Sequence, residues 1–125
     1  MNQRQTLVAG AILGALGVAL GAFGAHALKN ALIQNGRLET YELAVRYQYY
    51  HAFVMLITGL AMEKCNQASI RWASLLILVG VVLFSGSLYF FAFTNIASFA
   101  MVTPIGGVFM LAGWIMLAYS FIRNK

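Results

Sequence analysis

The chain has 125 residues, of which 62% are hydrophobic and 9% are charged, and its mean hydropathy is +0.80. A soluble domain carries roughly a quarter of its residues as charged side chains, so this composition excludes an ordinary water-soluble domain. The net charge is +5, but the basic residues stand singly between apolar stretches, and we therefore expect no nucleic-acid binding.

Four apolar stretches follow one another along the chain, at about residues 7–28, 43–62, 72–93 and 99–122. Each has about 20 residues, enough to cross a hydrocarbon core of about 30 Å as a helix. Lipid offers no hydrogen bonds to the backbone, so helices are the natural spanning form. The sequence predicts an all-α, four-helix transmembrane bundle that forms a single integral membrane domain over residues 1–125.

The first stretch has two faces of small residues. Its glycines alternate at spacings of four and three, which keeps them on one side of a helix: Gly10, Gly14, Gly17, Gly21 and Gly24. A second side carries Ala11, Ala15, Ala19, Ala22 and His26. Small residues allow helix backbones to approach closely in lipid. The pattern predicts helix packing on both faces and a central position for this helix.

The second stretch carries an ionisable residue. Asn35-Gly36 marks a turn, after which a helix is predicted to begin at Leu38 and to run into the second span. Tyr47 and His51 share one face of that helix, and Gln48 lies at the edge of this face. A histidine inside a membrane is costly and usually faces the bundle interior, so His51 is predicted to point inward.

The last two stretches contain helix-breaking residues. Ser85, Ser87 and Tyr89 lie late in the third, where Ser85-Gly86-Ser87 is a plausible kink. The fourth contains Thr103-Pro104-Ile105-Gly106-Gly107. Proline is harmless at the first helical position, which favours Thr103 as N-cap and a helix that begins at Pro104. Residues 96–102 would then be interfacial or re-entrant; one long kinked helix is the alternative.

Basic residues predict the orientation. With four spans, the termini and the loop at 63–71 share a side that holds Arg4, Lys64, Arg71, Arg123 and Lys125. The opposite side holds Lys29, Arg37 and Arg46. An excess of Lys and Arg marks the cytoplasmic side, so both termini are predicted to be cytoplasmic.

Alternating helix directions bring polar residues of all four spans to the outer half of the membrane. The candidate ligand-binding residues there are His26, Tyr47, Gln48, His51, Ser85, Ser87, Tyr89, Thr103, Pro104, Gly106 and Gly107. A glycine-rich helix start can receive an anion, and histidines can carry a proton, bind a metal or ligate haem. The alternative is that these groups satisfy one another and hold the bundle together.

Enzyme chemistry finds little support in the residues present. The three acids, Glu39, Glu42 and Glu63, lie in loops or at span ends, and the chain contains no Asp for a Ser-His-Asp set. The glycines of the first span follow no strand, so they are not a nucleotide motif. No metal is expected, because no Cys, Asp or Glu accompanies the two histidines. No cofactor is expected either, because haem would require the two imidazoles on opposite sides of a roomy pocket, of which the sequence shows no sign. The sequence predicts a protein that is not an enzyme.

Several motifs together resemble one family. They are Gly21-Ala-Phe-Gly-Ala-His-Ala-Leu28, Tyr47-Gln48 with His51-Ala52, Phe84-Ser-Gly-Ser-Leu-Tyr89, Thr103-Pro-Ile-Gly-Gly107 and Gly113-Trp114. This combination resembles the domain of unknown function 423 family. The resemblance implies a small, uncharacterised, four-span protein of the bacterial inner membrane, and it implies no reaction.

Two functions remain open, with an unrecognised membrane enzyme or haem protein as a remote third. The first is the binding or movement of a small molecule, lipid group or proton at the outer-leaflet polar patch, among membrane lipids. Four helices leave little room for a central pathway, so transport would need several copies of the chain, that is, a homo-oligomer. The second is a structural or accessory role, in which the polar patch only stabilises the bundle or a partner interface.

Overall fold

The computed structural model describes residues 1–65 and 68–124, which form five helices and no strand. Four helices are long: α1 (Gln3–Ala25), α3 (Leu38–Ala61), α4 (Ala68–Thr94) and α5 (Ala97–Arg123). The short α2 (Lys29–Gln34) connects α1 to α3 and was not predicted. The all-helical class is confirmed. So are the helix start at Leu38 and the turn at Asn35-Gly36, where Gly36 adopts a left-handed φ of +67°.

Three of the described helices, α1, α4 and α5, are long and apolar enough to cross a membrane. Helix α3 has 24 residues, which is sufficient length. Its hydropathy is reduced by Arg46, Gln48 and His51, together with several tyrosines. The helices therefore establish three candidate spans, and a crossing by α3 requires a separate argument.

The long helices pack in chain order and alternate in direction. Helix α1 packs mainly on α3, α3 on α4, and α4 on α5. Gly24 near the end of α1 lies against Tyr41 near the start of α3, whereas Gly59 near the end of α3 lies against Leu7. Helices α1 and α3 are therefore antiparallel, and α3 and α4 occupy the inner positions of the row.

The prediction that the first helix is central is wrong. Four of its glycines, Gly10, Gly17, Gly21 and Gly24, lie against α3, whereas Gly14 has no neighbour within 4 Å. The alanines of the second small face and His26 are exposed. Tyrosines of α3 lie over Gly17 and Gly24, but no described helix packs on the alanine face in the same way.

Pro104 lies inside α5, which runs unbroken from Ala97. The predicted helix start at Pro104 and the predicted interfacial or re-entrant segment over 96–102 are therefore wrong. Thr103 does not cap a helix, because its Oγ1 lies 2.6 Å from Ser87 Oγ on α4. A proline ring removes one backbone hydrogen bond, and membrane helices tolerate this loss where neighbouring groups compensate.

Helices α4 and α5 approach each other at three glycines, which we call the α4–α5 seam. A Cβ added to Gly106 would collide with the backbone nitrogen of Phe84. One added to Gly80 would lie 2.6 Å from the Met110 nitrogen, and one added to Gly113 would lie 3.0 Å from the Ile77 nitrogen. The backbones of α4 and α5 therefore approach closely at these glycines, and the side chains of Met110 and Ile77 also pack against Gly80 and Gly113.

Helices α1 and α3 form one antiparallel hairpin, and α4 and α5 form a second. Polar groups join these two hairpins at one end of the protein, in a cluster that we call the clasp. Asn35 Nδ2 donates to the carbonyls of Ala92 and Phe93, at 3.2 and 3.3 Å. Asn95 Nδ2 donates to the Asn35 carbonyl at 3.2 Å, and Arg37 Nε donates to Asn95 Oδ1 at 2.7 Å. The turn before α3 and the turn between α4 and α5 therefore lie at the same end of the protein.

Candidate functional site

A cavity of about 370 Å³ opens on the side of the protein between α3, α4 and α5. Its lining residues are Tyr47, His51, Phe84, Pro104, Gly107, Val108, Met110, Leu111 and Trp114. We call it the His51 cavity. Its volume falls within the range of about 300–1,000 Å³ that is usual for small-molecule sites.

His51 is the buried ionisable group of this cavity, with 4% of its surface exposed. Its Nδ1 lies 2.7 Å from the Tyr47 carbonyl oxygen, and Trp114 Nε1 donates to its Nε2 at 3.2 Å. A neutral imidazole satisfies both contacts when Nδ1–H donates to Tyr47 and Nε2 accepts from Trp114. A second proton, on Nε2, would face the indole N–H. His51 therefore cannot take up this second proton unless Trp114 moves.

Aromatic rings form most of the wall around His51. The Tyr47 ring stacks on the imidazole with 6.1 Å between centroids, and it lies 4.7 Å from the Phe84 ring. Trp114 approaches His51 edge-on and is 45% exposed. A Cβ added to Gly107 would lie 4.0 Å from its nearest neighbour, Phe84 Cδ2, so this glycine leaves open space. The cavity can accept an apolar or aromatic group beside one imidazole.

Two predicted ligand-binding residues instead form a hydrogen-bonded chain across three helices. Tyr89 Oη on α4 donates to Gln48 Oε1 on α3 at 2.6 Å. Gln48 Nε2 donates in turn to the Leu13 carbonyl of α1 at 2.9 Å. Each of these groups has a protein partner, so the chain joins the three helices.

The predicted serines and Thr103 also bond between helices. Ser85 Oγ donates to the Ala44 carbonyl of α3 at 2.8 Å. Ser87 Oγ bonds with both Thr103 Oγ1 of α5 and the Phe84 carbonyl of its own helix, at 2.6 and 2.9 Å. These contacts match the alternative from the sequence, in which polar residues satisfy one another.

The two histidines are far apart along the helices. His26 ends α1 as its C-cap, with an exposed side chain. Gln48, one turn from His51, bonds to Leu13 in the middle of α1. His26 and His51 therefore lie at different depths. Of the predicted ligand-binding residues, the cavity brings together Tyr47, His51, Pro104 and Gly107, whereas Gly106 packs against α4.

Sequence reasoning did not assign Trp114 to the site. Gly107, Leu111 and Trp114 are spaced by four and three residues, so they lie on one face of α5. This spacing was available in the sequence and could have linked Trp114 to Gly107. Its hydrogen bond with His51 could not be foreseen, because the two residues are 63 positions apart.

The described part of the chain offers no group of three His, Cys, Asp or Glu side chains that could hold a metal ion. Cys65 is a buried free thiol near the end of α3. His51 has two protein partners for its two nitrogens. Any metal or haem ligation through His51 would therefore have to displace Tyr47 or Trp114.

The chain is similar to known proteins along most of its length. Residues 20–107 match the family described as Protein of unknown function (DUF423). The UPF0382 inner membrane protein YgdD of Escherichia coli (strain K12) is 39% identical over 127 positions, covering 100% of this chain and 95% of that protein. The UPF0382 membrane protein SH2409 of Staphylococcus haemolyticus is 40% identical over 94% of each chain. No solved structure matches.

Proposed function

Because the chain belongs to the DUF423 family of uncharacterised membrane proteins, we propose that it is a non-catalytic membrane protein that binds a small apolar molecule or lipid group in the His51 cavity. The observation that carries this proposal is the cavity itself. It opens sideways, has aromatic walls and contains one buried imidazole. Apolar walls with few polar groups are the usual character of a small-molecule site.

The bond between Trp114 and His51 supplies the polar contact for such a ligand. At 3.2 Å it is longer than the usual N–H hydrogen bond of about 2.9–3.0 Å. A ligand hydroxyl could accept from Trp114 Nε1 and donate to His51 Nε2 in its place. An aliphatic or aromatic part would fill the space above Gly107. Specificity would come from one hydrogen-bonding group beside an apolar body.

We propose that α3 is a fourth membrane crossing. The N-terminal amine donates to the Arg71 carbonyl at 3.3 Å, and Gln3 Nε2 donates to Glu63 Oε1 at 3.2 Å. The starts of α1 and α4 are therefore neighbours, and the two helices run in the same direction. If both cross the membrane, the chain between them must return across it, and α3 is the helix long enough to do so.

The charge distribution supports an inner-membrane orientation with both termini in the cytoplasm. Arg4, Lys64, Arg71 and Arg123 lie at one end of the protein, and Lys125 is outside the described residues. An excess of basic residues favours the cytoplasmic side. A membrane-impermeant thiol reagent should label Asn95→Cys, but not Asn124→Cys, in intact cells. The reverse labelling pattern would invert the orientation.

The cavity can be tested by the fluorescence of Trp114 after Trp72→Phe, since the chain has two tryptophans. A brominated medium-chain alcohol, titrated in detergent, should quench Trp114 in a saturable way. In Gly107→Leu the Cβ would lie 4.0 Å from its nearest neighbour, the rest of the side chain would fill the cavity, and saturation should be abolished. Gly14→Leu is the matched control, because Gly14 also has open space but lies outside the cavity, and it should leave saturation intact.

A structural role is the second candidate, and the chain from Tyr89 through Gln48 to Leu13 favours it. In that case the polar residues only hold the helices together. Quenching would then rise linearly with alcohol concentration in all variants. Gly107→Leu would leave the curve unchanged, which would contradict a ligand site at His51.

A further inference from the structure

A second groove, of about 250 Å³, lies between the end of α1 and the start of α3. Its walls include Gly21, Tyr41 and Val45, together with the charged residues Glu42 and Arg46. We call it the Glu42–Arg46 groove. It shares no lining residue with the His51 cavity.

Glu42 and Arg46 have no protein partner in this groove. Both are exposed, and neither forms a hydrogen bond or ion pair with another described residue. They are four residues apart on α3, so they lie on one face with a rise of about 6 Å between them. Charged side chains at this depth of a membrane helix usually reach toward the headgroups or find a charged partner. The groove therefore presents a carboxylate and a guanidinium that have no ionic partner among the described residues.

The order of the two charges matches one class of lipid. Glu42 is one turn nearer the start of α3 than Arg46, and so nearer the membrane surface on the proposed placement of α1 and α3 in the bilayer. In an amine phospholipid the ammonium lies outside the phosphate. Arg46 could bind the phosphate through two parallel hydrogen bonds, while Glu42 accepts from the ammonium.

We propose that the Glu42–Arg46 groove binds a phospholipid with a primary amine headgroup, of the phosphatidylethanolamine type. The glycerol region would lie at Gly21, where a Cβ would be 3.5 Å from Val45 Cγ1 and a larger side chain would close the groove. The acyl chains would follow the exposed surface of α1. The proposal depends on α1 and α3 lying in the membrane and is independent of the His51 cavity.

The same charges discriminate against other lipids. A phosphatidylglycerol headgroup has a phosphate for Arg46 but no cation for Glu42. A phosphatidylcholine headgroup has a cation, but its three methyl groups leave it no N–H to donate. The groove therefore predicts a preference for the primary amine over both.

Native mass spectrometry of the full chain tests this preference. The purified protein would be equilibrated in mild detergent with equimolar phosphatidylethanolamine, phosphatidylcholine and phosphatidylglycerol that carry identical acyl chains. We expect retention of phosphatidylethanolamine to exceed that of each other lipid by about threefold. This is the difference in affinity expected from one additional solvent-exposed ion pair. Equal retention, or a preference for phosphatidylglycerol, would overturn the proposal.

Two variants separate the two contacts. Glu42→Gln should remove the preference for phosphatidylethanolamine over phosphatidylcholine and keep phospholipid retention, whereas Arg46→Gln should lower retention of all three lipids. Glu39→Gln and Lys29→Gln are the matched controls, since both residues are exposed at the same end but outside the groove, and they should behave as wild type. If the groove variants and the control variants had equal effects, lipid retention would depend on general surface charge, and the proposed site would be wrong.

The failure of this proposal can be told apart from failure of the His51 cavity. Gly107→Leu should leave the headgroup preference unchanged, because Gly107 does not line the groove. Glu42→Gln should likewise leave the saturable quenching of Trp114 unchanged. A change of both readouts by either variant would contradict two independent sites.

Discussion

Two helix contacts in this protein use glycine in different ways. Between α1 and α3, glycine makes room for side chains: a Cβ on Gly17 would lie 3.3 Å from the Tyr49 ring, and one on Gly24 would meet the Tyr41 ring. In the α4–α5 seam, glycine also lets the backbone of the neighbouring helix come close. A Cβ on Gly106 would collide with the backbone nitrogen of Phe84 and lie 2.8 Å from the Gly80 carbonyl oxygen.

This difference determines what each contact can tolerate. A tyrosine ring can rotate or shift by a few tenths of an ångström, but a helix backbone cannot move without moving the whole helix. The α4–α5 seam should therefore be the rigid half of the molecule. The contact between α1 and α3 should adapt to added volume at a lower cost.

Gly106→Ala should have the largest effect, because the new methyl group would push α5 away from α4. We expect a loss of about 3 kcal/mol in the free energy of unfolding, the upper end of the usual cost of overpacking. Thermal unfolding in detergent, followed by circular dichroism, measures this change. Gly107→Ala is the control, since its Cβ would have 4.0 Å of space. Equal stability of the two variants would contradict a close backbone contact at Gly106.

Gly17→Leu should have an intermediate effect, because the leucine side chain must displace the Tyr49 ring. We expect a loss of about 2 kcal/mol, within the usual range for overpacking. The same thermal measurement applies, with Gly14→Leu as the matched substitution on the neighbouring turn. Unchanged thermal stability of Gly17→Leu would count against the glycine contact between α1 and α3.

Gly14→Ala should have the smallest effect and the opposite sign. Nothing lies within 4 Å of a Cβ at Gly14, so alanine adds helix propensity without a clash. We expect a gain of about 0.5 kcal/mol, the lower end of the difference between the two residues in a helix. Size-exclusion chromatography of the same variant reports the size of its assembly and complements the thermal measurement. A destabilised variant with a smaller assembly would mean that Gly14 packs against a second copy of the chain.

The sequence revealed the contact between α1 and α3 more readily than the α4–α5 seam. Five glycines at regular spacing in one helix form a visible pattern, and four of them lie against α3. Gly80 is isolated on α4, and Gly106 was interpreted as part of a ligand site. Their shared role arises only when two distant segments meet, which a single helix pattern cannot indicate.

Pro104 and His51 mark the other limits of prediction. The rule that proline begins a helix assumed a hydroxyl at Thr103 free to cap it, and that hydroxyl bonds to Ser87 instead. The inward position of His51 followed from the cost of an imidazole in lipid, and the residue is buried. Its hydrogen bond to Trp114 depends on how α3 and α5 lie across α4, which residue spacing does not determine.

The clasp has a consequence for how the chain assembles during synthesis. The last carbonyls of a helix lack partners within it, and at the end of α4 those of Ala92 and Phe93 receive donors from Asn35. The ribosome delivers Asn35 well before α4, since chains emerge from the N-terminus. Asn35 is therefore already in place when the Ala92 and Phe93 carbonyls are synthesised. The hairpin of α4 and α5 can then pack onto a hairpin of α1 and α3 that has already formed.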